Sequence, residues 1–156
     1  MSLLPGVNAY NIARALAALP ALGAYDASPT ELDVQRAESV TLYIQYTRGA
    51  VGGDMQFKVE VSPFSADADA PAGVAAWYQT TLFAPGVVAS GADSLSVIQR
   101  NETEYGSTAA GAESFAYGPI ELDQTVQRLR VPCQESGVVG TPGTCSVIAY
   151  LGYSDR

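Results

Sequence analysis

Two neighbouring stretches of the chain indicate its fold class: residues 39–47 (SVTLYIQYT) and residues 54–62 (DMQFKVEVS). Within each stretch apolar and polar side chains alternate with a period of two, the pattern of a β-strand with one buried and one solvated face. Three glycines lie between them, in residues 48–53, and favour a turn. We therefore predict two antiparallel strands paired as a hairpin. The apolar positions are Val40, Leu42, Ile44 and Tyr46 in the first strand and Met55, Phe57, Val59 and Val61 in the second.

Further strand patterns follow along the chain, separated by turn residues, with no helical pattern after residue 25. They cover residues 30–34, 77–83, 95–99, 114–122, 125–131 and 145–151. The dipeptide Gly118-Pro119 predicts a break or bulge in the strand that contains it. Short strands of this kind are typical of a β-sandwich or jelly roll. The sequence thus predicts an all-β fold, with a single antiparallel β-sandwich or jelly-roll-like domain over residues 25–156.

The first 24 residues differ from the rest, because Arg14 is their only charged residue. The spacing of Ile12, Leu16 and Leu19 predicts a short amphipathic helix that ends at Pro20. We predict that residues 1–24 form an N-terminal arm that buries its apolar side chains against a partner subunit. The alternative is a helix or strand that packs on its own domain. The candidate partner-binding residues are Leu3, Leu4, Ile12, Leu16 and Leu19.

Composition and charge exclude several classes of function. The chain has no histidine, which removes the Ser-His-Asp triad, the Cys-His dyad and histidine-dependent metal sites. Sixteen acidic and eight basic residues give a net charge of −8, whereas nucleic-acid affinity depends largely on Lys and Arg. No apolar run reaches the roughly 18 residues of a membrane-spanning helix. We therefore expect no catalytic centre, cofactor or metal, and neither a nucleic acid nor a membrane as partner.

Two pairs of alternating carboxylates are the candidates for chemistry. Asp67 and Asp69 lie between two predicted strands and could share a calcium ion, but a solvated loop is the favoured interpretation because the stretch lacks the EF-hand glycine and terminal glutamate. Glu102 and Glu104 would alternate on one side if the strand over residues 95–99 ran on beyond residue 99, whereas a glycosidase needs two carboxyls that face each other across a cleft. A charged surface is the favoured interpretation of this second pair.

Three other side chains are candidates for binding. Tyr43 lies on the polar face of its predicted strand, where it would serve as an exposed platform for a sugar. The alternative for Tyr43 is packing against a neighbouring strand or the arm. Arg128 and Arg130 share one face of their strand. They meet either an acidic partner or, as the favoured interpretation, carboxylates of this chain.

The two cysteines, Cys133 and Cys145, flank a turn-rich segment that contains Gly137, Gly140 and Pro142. We expect them to lie close together at the ends of adjacent antiparallel strands. A disulfide there would stabilise the fold by about 2–3 kcal/mol. The alternative, which the sequence leaves open, is a pair of free thiols.

The chain resembles small virion proteins of tailed bacteriophages in residues 36–53 and 57–62, and in the later segments Arg128–Val131 and Pro142–Thr144. Among such proteins are capsid decoration, or cement, proteins with a β-sandwich or β-tulip domain. The resemblance implies a structural protein without catalytic residues, made in the host cytoplasm and located on the outer capsid surface of the virion. It also implies that the protein stabilises the head, binds the major capsid protein and forms a symmetric homo-oligomer such as a trimer.

Three hypotheses for the function follow. The first is a capsid decoration protein, with a head-tail connector or a tail component as variants of the same class. The second is a carbohydrate-binding β-sandwich module that uses surface aromatic residues such as Tyr43. The third, an enzyme acting on glycosides, ranks last because no pair of carboxylates is singled out.

Overall fold

The computed structural model describes residues 10–20, 24–47, 54–79, 88–90, 94–96, 112–136 and 141–153, and in them confirms the predicted all-β class. These residues form antiparallel strands and one turn of 3-10 helix, Asp67–Asp69, with no α-helix among them. The strands are β1 (Tyr10–Ala18), β2 (Leu32–Asp33), β3 (Ser39–Thr47), β4 (Asp54–Phe57), β5 (Glu60–Ser62), β6 (Tyr78–Gln79), β7 (Val88–Ser90), β8 (Ser94–Ser96), β9 (Ala112–Glu121), β10 (Arg128–Arg130), β11 (Cys133–Ser136) and β12 (Thr144–Gly152).

The first layer of the sandwich is a four-stranded sheet in the order β1-β12-β3-β9. Its strand β3 has the predicted bounds, and its four alternating apolar side chains are buried as predicted. In β12 the odd-numbered residues from Cys145 to Leu151 are likewise buried. One face of this sheet therefore lies on the core, and the other faces solvent.

The second layer consists of two sheets, in the orders β11-β4-β8-β7 and β2-β10-β5-β6. Residues 54–62 and residues 128–136 are each interrupted once, and each stretch therefore contributes one strand to each of the two sheets. One stretch breaks between β4 and β5, and the other breaks at Pro132, which has no N–H to donate to a ladder. The two interruptions meet, since the Lys58 N–H donates to the Pro132 carbonyl at 3.1 Å.

The two layers bury one common core, which confirms the sandwich; jelly-roll connectivity stays a prediction. The contacts that cross between the layers include three side-chain pairs of the core. The rings of Phe57 and Tyr117 meet edge to face, with centroids 5.0 Å apart. The sulfurs of Cys145 and Met55 lie 3.7 Å apart. The Tyr46 hydroxyl donates to Glu135 at 2.6 Å.

The predicted hairpin of β3 and β4 is wrong. Strand β3 pairs with β12 and β9, whereas β4 pairs with β11 and β8 in the other layer. Both strands have the predicted apolar face, but these faces meet across the core instead of lying side by side in one sheet. Alternation fixes which side chains are buried, and it is equally compatible with either arrangement.

The predicted N-terminal helix is also wrong, because residues 10–18 form strand β1 and pair antiparallel with β12. The ladder shifts register on either side of Arg14, and these irregularities bring apolar residues to a spacing that resembles a helical one. The predicted boundary between arm and domain at residue 24 therefore falls inside the sandwich. Residues 1–9 lie outside the described part of the chain.

The predicted irregularity at Gly118-Pro119 is confirmed. The peptide bond between them is cis, and the register between β9 and β3 shifts opposite Val40 and Leu42. Gly118 has a φ of 137°, and a Cβ at this position would lie 2.9 Å from the Val40 carbonyl oxygen. Only glycine combines this conformation with such a close approach of two strands. The predicted strand segments 80–83 and 97–99 lie outside the described residues.

Candidate functional site

On the solvent-facing side of the first sheet the described side chains form an uncharged surface, which we name the tyrosine face. The strand registers arrange its side chains in rows across the sheet. One row is apolar and contains Tyr43, and the adjacent row, two residues further along each strand, is polar and contains Gln45. The face comprises Tyr10, Ile12, Thr41, Tyr43, Gln45, Ser114, Ala116, Ser146, Ile148 and Tyr150.

Three tyrosines form a continuous aromatic group on this face. Tyr150 stacks on Tyr10, with ring centroids 5.8 Å apart and an interplanar angle of 29°. On its other side Tyr150 meets Tyr43 in an edge-to-face contact at 5.1 Å. Tyr43 remains 48% exposed. It thus has the predicted exposure and also the cross-strand packing that was the alternative interpretation.

A shallow hollow of about 460 Å³ lies beside Tyr43, over strands β12, β3 and β9. Tyr43, Ala116 and Ile148 line its apolar side. Gln45, Ser114 and Ser146 line its polar side, and within the described structure their side chains form no hydrogen bonds. The hollow therefore combines an aromatic ring with unpartnered hydroxyl and amide groups.

A larger hollow, of about 780 Å³, lies at the rim of the same sheet, near residues 36–39 and 119–124. Its lining includes Arg36, Glu38 and Glu121, and no described residue of the lining is aromatic. The described lining of this larger hollow thus provides charges of both signs, but no aromatic ring on which a ligand could stack. We therefore place the candidate binding site at Tyr43 and not at the larger hollow.

The outer surface of the second layer carries charged side chains, and we name it the arginine face. It comprises Trp77, Arg128 and Arg130 with the carboxylates of Glu31, Glu60 and Asp67. The Trp77 ring lies beneath both guanidinium groups, at 4.6 Å from that of Arg128 and 4.1 Å from that of Arg130. Such cation–π contacts stabilise the packing.

Arg128 and Arg130 pair with the chain's own carboxylates, which confirms the favoured interpretation. Arg128 donates to Glu31 and Asp67, both at 2.8 Å, and Arg130 donates to Glu60 at 2.8 Å.

Asp67 anchors a loop to this arginine pair. Its carboxylate accepts hydrogen bonds from Arg128 and from the Trp77 indole, and these bonds lower the pKa of Asp67. The alternative interpretation of Asp67 as a calcium ligand therefore competes with two donors already in place. Asp69 is exposed, and the described residues contain no group of three or more acidic or cysteine side chains arranged to hold a metal. Glu102 and Glu104 lie outside the described residues.

Arg14 joins the two layers at one end of the sandwich. Its guanidinium contacts both carboxylate oxygens of Asp26, at 2.9 and 3.1 Å, and donates to the carbonyls of Ala17, Ala18 and Cys145. Asp26 in turn accepts from the Cys133 N–H at 3.1 Å. The sequence interpretation missed this pair, although a single charge in an apolar segment was a signal that the charge had a buried partner.

The two cysteines are close in space, as predicted, but they do not lie on adjacent strands. Cys133 belongs to β11 in the second layer and Cys145 to β12 in the first, so they face each other across the core. Both are free and fully buried in this structure. A hydrogen bond with the Cys145 thiol and burial together raise the pKa of the Cys133 thiol well above its ordinary value. The candidate disulfide of the sequence analysis is thus a pair of free thiols here.

A buried carboxylate was also missed. Glu135 is fully buried and accepts hydrogen bonds from the Tyr46 hydroxyl at 2.6 Å and the Gly143 N–H at 3.1 Å. A Cβ at Gly143 would collide with this carboxylate and with the Thr47 carbonyl oxygen. Glycine at position 143 therefore lets the chain enter β12 directly against Glu135.

The candidate partner-binding residues of the N-terminal segment divide into three groups. Leu3 and Leu4 lie outside the described residues. Ile12 and Leu16 are 57% and 69% exposed along β1. Leu19 is only 2% exposed and belongs to the chain's own core, so it departs from the expectation of a partner contact.

Comparison with known proteins finds no matching family model, no matching curated protein and no matching solved structure. Among the residues that the structure describes, no helix is long and apolar enough to cross a membrane. The functional argument therefore rests on the fold, the β1 edge and the outer faces of the sandwich.

Proposed function

We propose that this protein is a structural component of a tailed-bacteriophage virion, a decoration or cement protein without catalytic activity. In this role it lies on the outer capsid surface, binds the major capsid protein and stabilises the head as a closed homo-oligomer, a trimer by the resemblance described above. The resemblance supports the class of protein, and strand β1 supports the mode of attachment.

The observation that carries the proposal is the character of the β1 edge. Among the described strands, β1 is the last on its side of the first sheet, and it holds Ile12 and Leu16 in solvent. Its single charge, Arg14, is turned inward to Asp26. Native edge strands are usually protected by outward charges or proline. An apolar edge without an outward charge is suited to contact with another protein chain.

Strand β9, the last described strand on the other side of the same sheet, is protected by a proline and an outward charge. Strand β9 carries Pro119 and an exposed Glu121 near its end, both of which disfavour pairing with another strand. The contrast supports β1 as the attachment edge. In a closed trimer each β1 edge would meet a different surface of the next subunit, because such rings use heterologous contacts.

The test is a double substitution, Ile12→Asn with Leu16→Asn, compared with the unchanged protein by light scattering and by co-sedimentation with capsids. Val74→Asn is the matched control, because Val74 is an exposed apolar residue in a loop away from β1. We expect the double variant to lose both the oligomer and capsid attachment, and the control to keep both. An unchanged protein that is monomeric and does not sediment with heads contradicts the proposal. Co-sedimentation with tails alone assigns the protein to the connector or tail variant.

A further inference from the structure

The side chains that line the hollow beside Tyr43 have no role in the proposed attachment through β1. Strands β3 and β12 are paired on both sides, so their backbone groups are already hydrogen-bonded. A ligand at this place is therefore recognised by side chains. Those side chains are an aromatic ring and the three unpartnered polar groups of Gln45, Ser114 and Ser146.

We propose that this hollow is a binding site for a neutral saccharide. A pyranose ring has one apolar face made of C–H groups and a rim of hydroxyl groups. The apolar row of the tyrosine face matches the C–H face, because a tyrosine ring offers a large apolar surface. The polar row matches the rim, because glutamine amides and serine hydroxyls both donate and accept hydrogen bonds.

The geometry of the sheet places the two rows at a distance that one sugar ring can span. Gln45 pairs in register with Ser114 on one side and Ser146 on the other, and Tyr43 pairs in the same way with Ala116 and Ile148. The rows are two residues apart along each strand, which is about 7 Å. The volume of about 460 Å³ lies within the usual range of small-ligand sites, about 300–1,000 Å³.

The charge of the molecule selects a neutral ligand over an acidic one. None of the described residues that line the hollow is charged, while the chain carries a net charge of −8. An acidic sugar would meet no cation in the hollow and would be repelled by the surrounding negative field. The proposal does not rest on the virion role, because the described residues that line the hollow lie on β3, β9 and β12, whereas the proposed attachment edge is β1.

The experiment is a glycan array that contains neutral oligosaccharides of glucose, mannose, galactose and N-acetylglucosamine, with sialylated and uronic-acid glycans as the acidic set. The best neutral oligosaccharide is then titrated calorimetrically into the unchanged protein, Tyr43→Ala, Tyr43→Phe and a Ser114→Ala/Ser146→Ala double variant. Tyr78→Ala is the matched control, since Tyr78 is about as exposed as Tyr43 and lies on β6 in the second layer. Urea unfolding of each variant verifies that it is folded.

We expect binding to neutral glycans and none to the acidic set. Loss of the aromatic contact in Tyr43→Ala should weaken binding by about tenfold or more, and the double serine variant should also bind more weakly. Tyr43→Phe should retain binding because it keeps the ring, and Tyr78→Ala should bind as the unchanged protein does. The single variant Leu16→Asn, at an exposed β1 residue outside the tyrosine face, should also bind the sugar normally, so a failure of the virion role is seen separately.

Three results would overturn the proposal. The first is no binding to any neutral glycan at millimolar concentration. The second is binding that Tyr43→Ala leaves intact, which would put the sugar elsewhere on the molecule. The third is a Tyr43→Ala variant that changes the oligomeric state or capsid attachment without changing sugar binding, which would make the face a protein contact.

Discussion

The tyrosine face and the arginine face lie on opposite outer surfaces of one sandwich. They differ in whether their polar side chains have hydrogen-bond partners within the chain. On the arginine face Arg128 donates to two carboxylates, a hydroxyl and the Phe64 carbonyl, and it also covers the Trp77 ring. On the tyrosine face Gln45, Ser114 and Ser146 have no partners among the described residues. The first surface is completed by its own chain, whereas the second offers groups to something outside it.

The difference teaches that a conspicuous charge cluster is not by itself evidence of a binding site. The arginines and tryptophan hold a loop against the second layer, and their role is stability. The tyrosine face has fewer conspicuous residues. Contacts among its side chains add little stability, so these side chains remain available for binding. Substitutions on the two faces should accordingly have opposite consequences for stability and for binding.

The largest expected effect is the loss of stability in Arg128→Ala. The substitution removes four hydrogen-bonded contacts and the contact with Trp77. We expect the free energy of unfolding to fall by about 2–4 kcal/mol, measured by urea denaturation. Arg36→Ala, at an exposed turn residue, is the control and should change it by no more than about 0.5 kcal/mol. Equal stability of Arg128→Ala and the unchanged protein would show that the arginine face is not structural.

A smaller effect is expected from Asp67→Asn, and it should depend on pH. Hydrogen bonding from Arg128 lowers the pKa of Asp67 in the folded protein below the ordinary value of 3.8. The carboxylate therefore contributes stability above that value, and the contribution is lost as pH falls through the lower folded pKa. The difference in unfolding free energy between Asp67→Asn and the unchanged protein should be greatest at neutral pH and should disappear as the pH falls through the lowered folded pKa.

The matched control for this experiment is Asp69→Asn, because Asp69 is exposed two residues away in the same 3-10 turn. Its unfolding curve should stay close to that of the unchanged protein at each pH. A difference for Asp67→Asn that grows towards acid would contradict the ion pair.

The smallest effect is expected on the tyrosine face, in Tyr150→Ala. The substitution removes the ring contacts to Tyr10 and Tyr43, and cross-strand pairs of this kind contribute little because their members stay half exposed. We expect a loss of about 1 kcal/mol or less, measured by the same urea denaturation. A loss as large as that of Arg128→Ala would mean that the tyrosines are a structural cluster, and would remove the contrast between the faces.

The sequence predicted those features that depend on neighbouring residues. The bounds of β3 agree with the alternation in residues 39–47, and the outward position of Tyr43 follows from the same parity. Pairing between strands depends on residues distant in the chain, so the partner of β4 was predicted wrongly. The Cys133–Cys145 proximity was predicted correctly, although the two residues lie on strands of different layers and not on adjacent strands.

The buried polar residues were not predictable from local pattern. Arg14 takes its partner Asp26 from a different segment, and Glu135 takes the Tyr46 hydroxyl from the opposite layer. Local hydrophobicity contains no information on such pairs, because each side chain alone would favour solvent. The spacing of apolar residues in 12–19 led to a wrong prediction of a helix for a related reason. Arg14 reaches Asp26, and the register shifts on either side of Arg14 change the period of the strand.

The central claim is that the tyrosine face is the binding face, and the most direct test is a nuclear magnetic resonance titration of the ¹⁵N-labelled protein with the neutral oligosaccharide that binds best on the array. The account predicts saturable shifts of the backbone amides of Tyr43, Gln45, Ser114 and Ser146, and none at Arg128 to Arg130. Shifts concentrated at the arginine face, or no saturable shift at the tyrosine face, would contradict it.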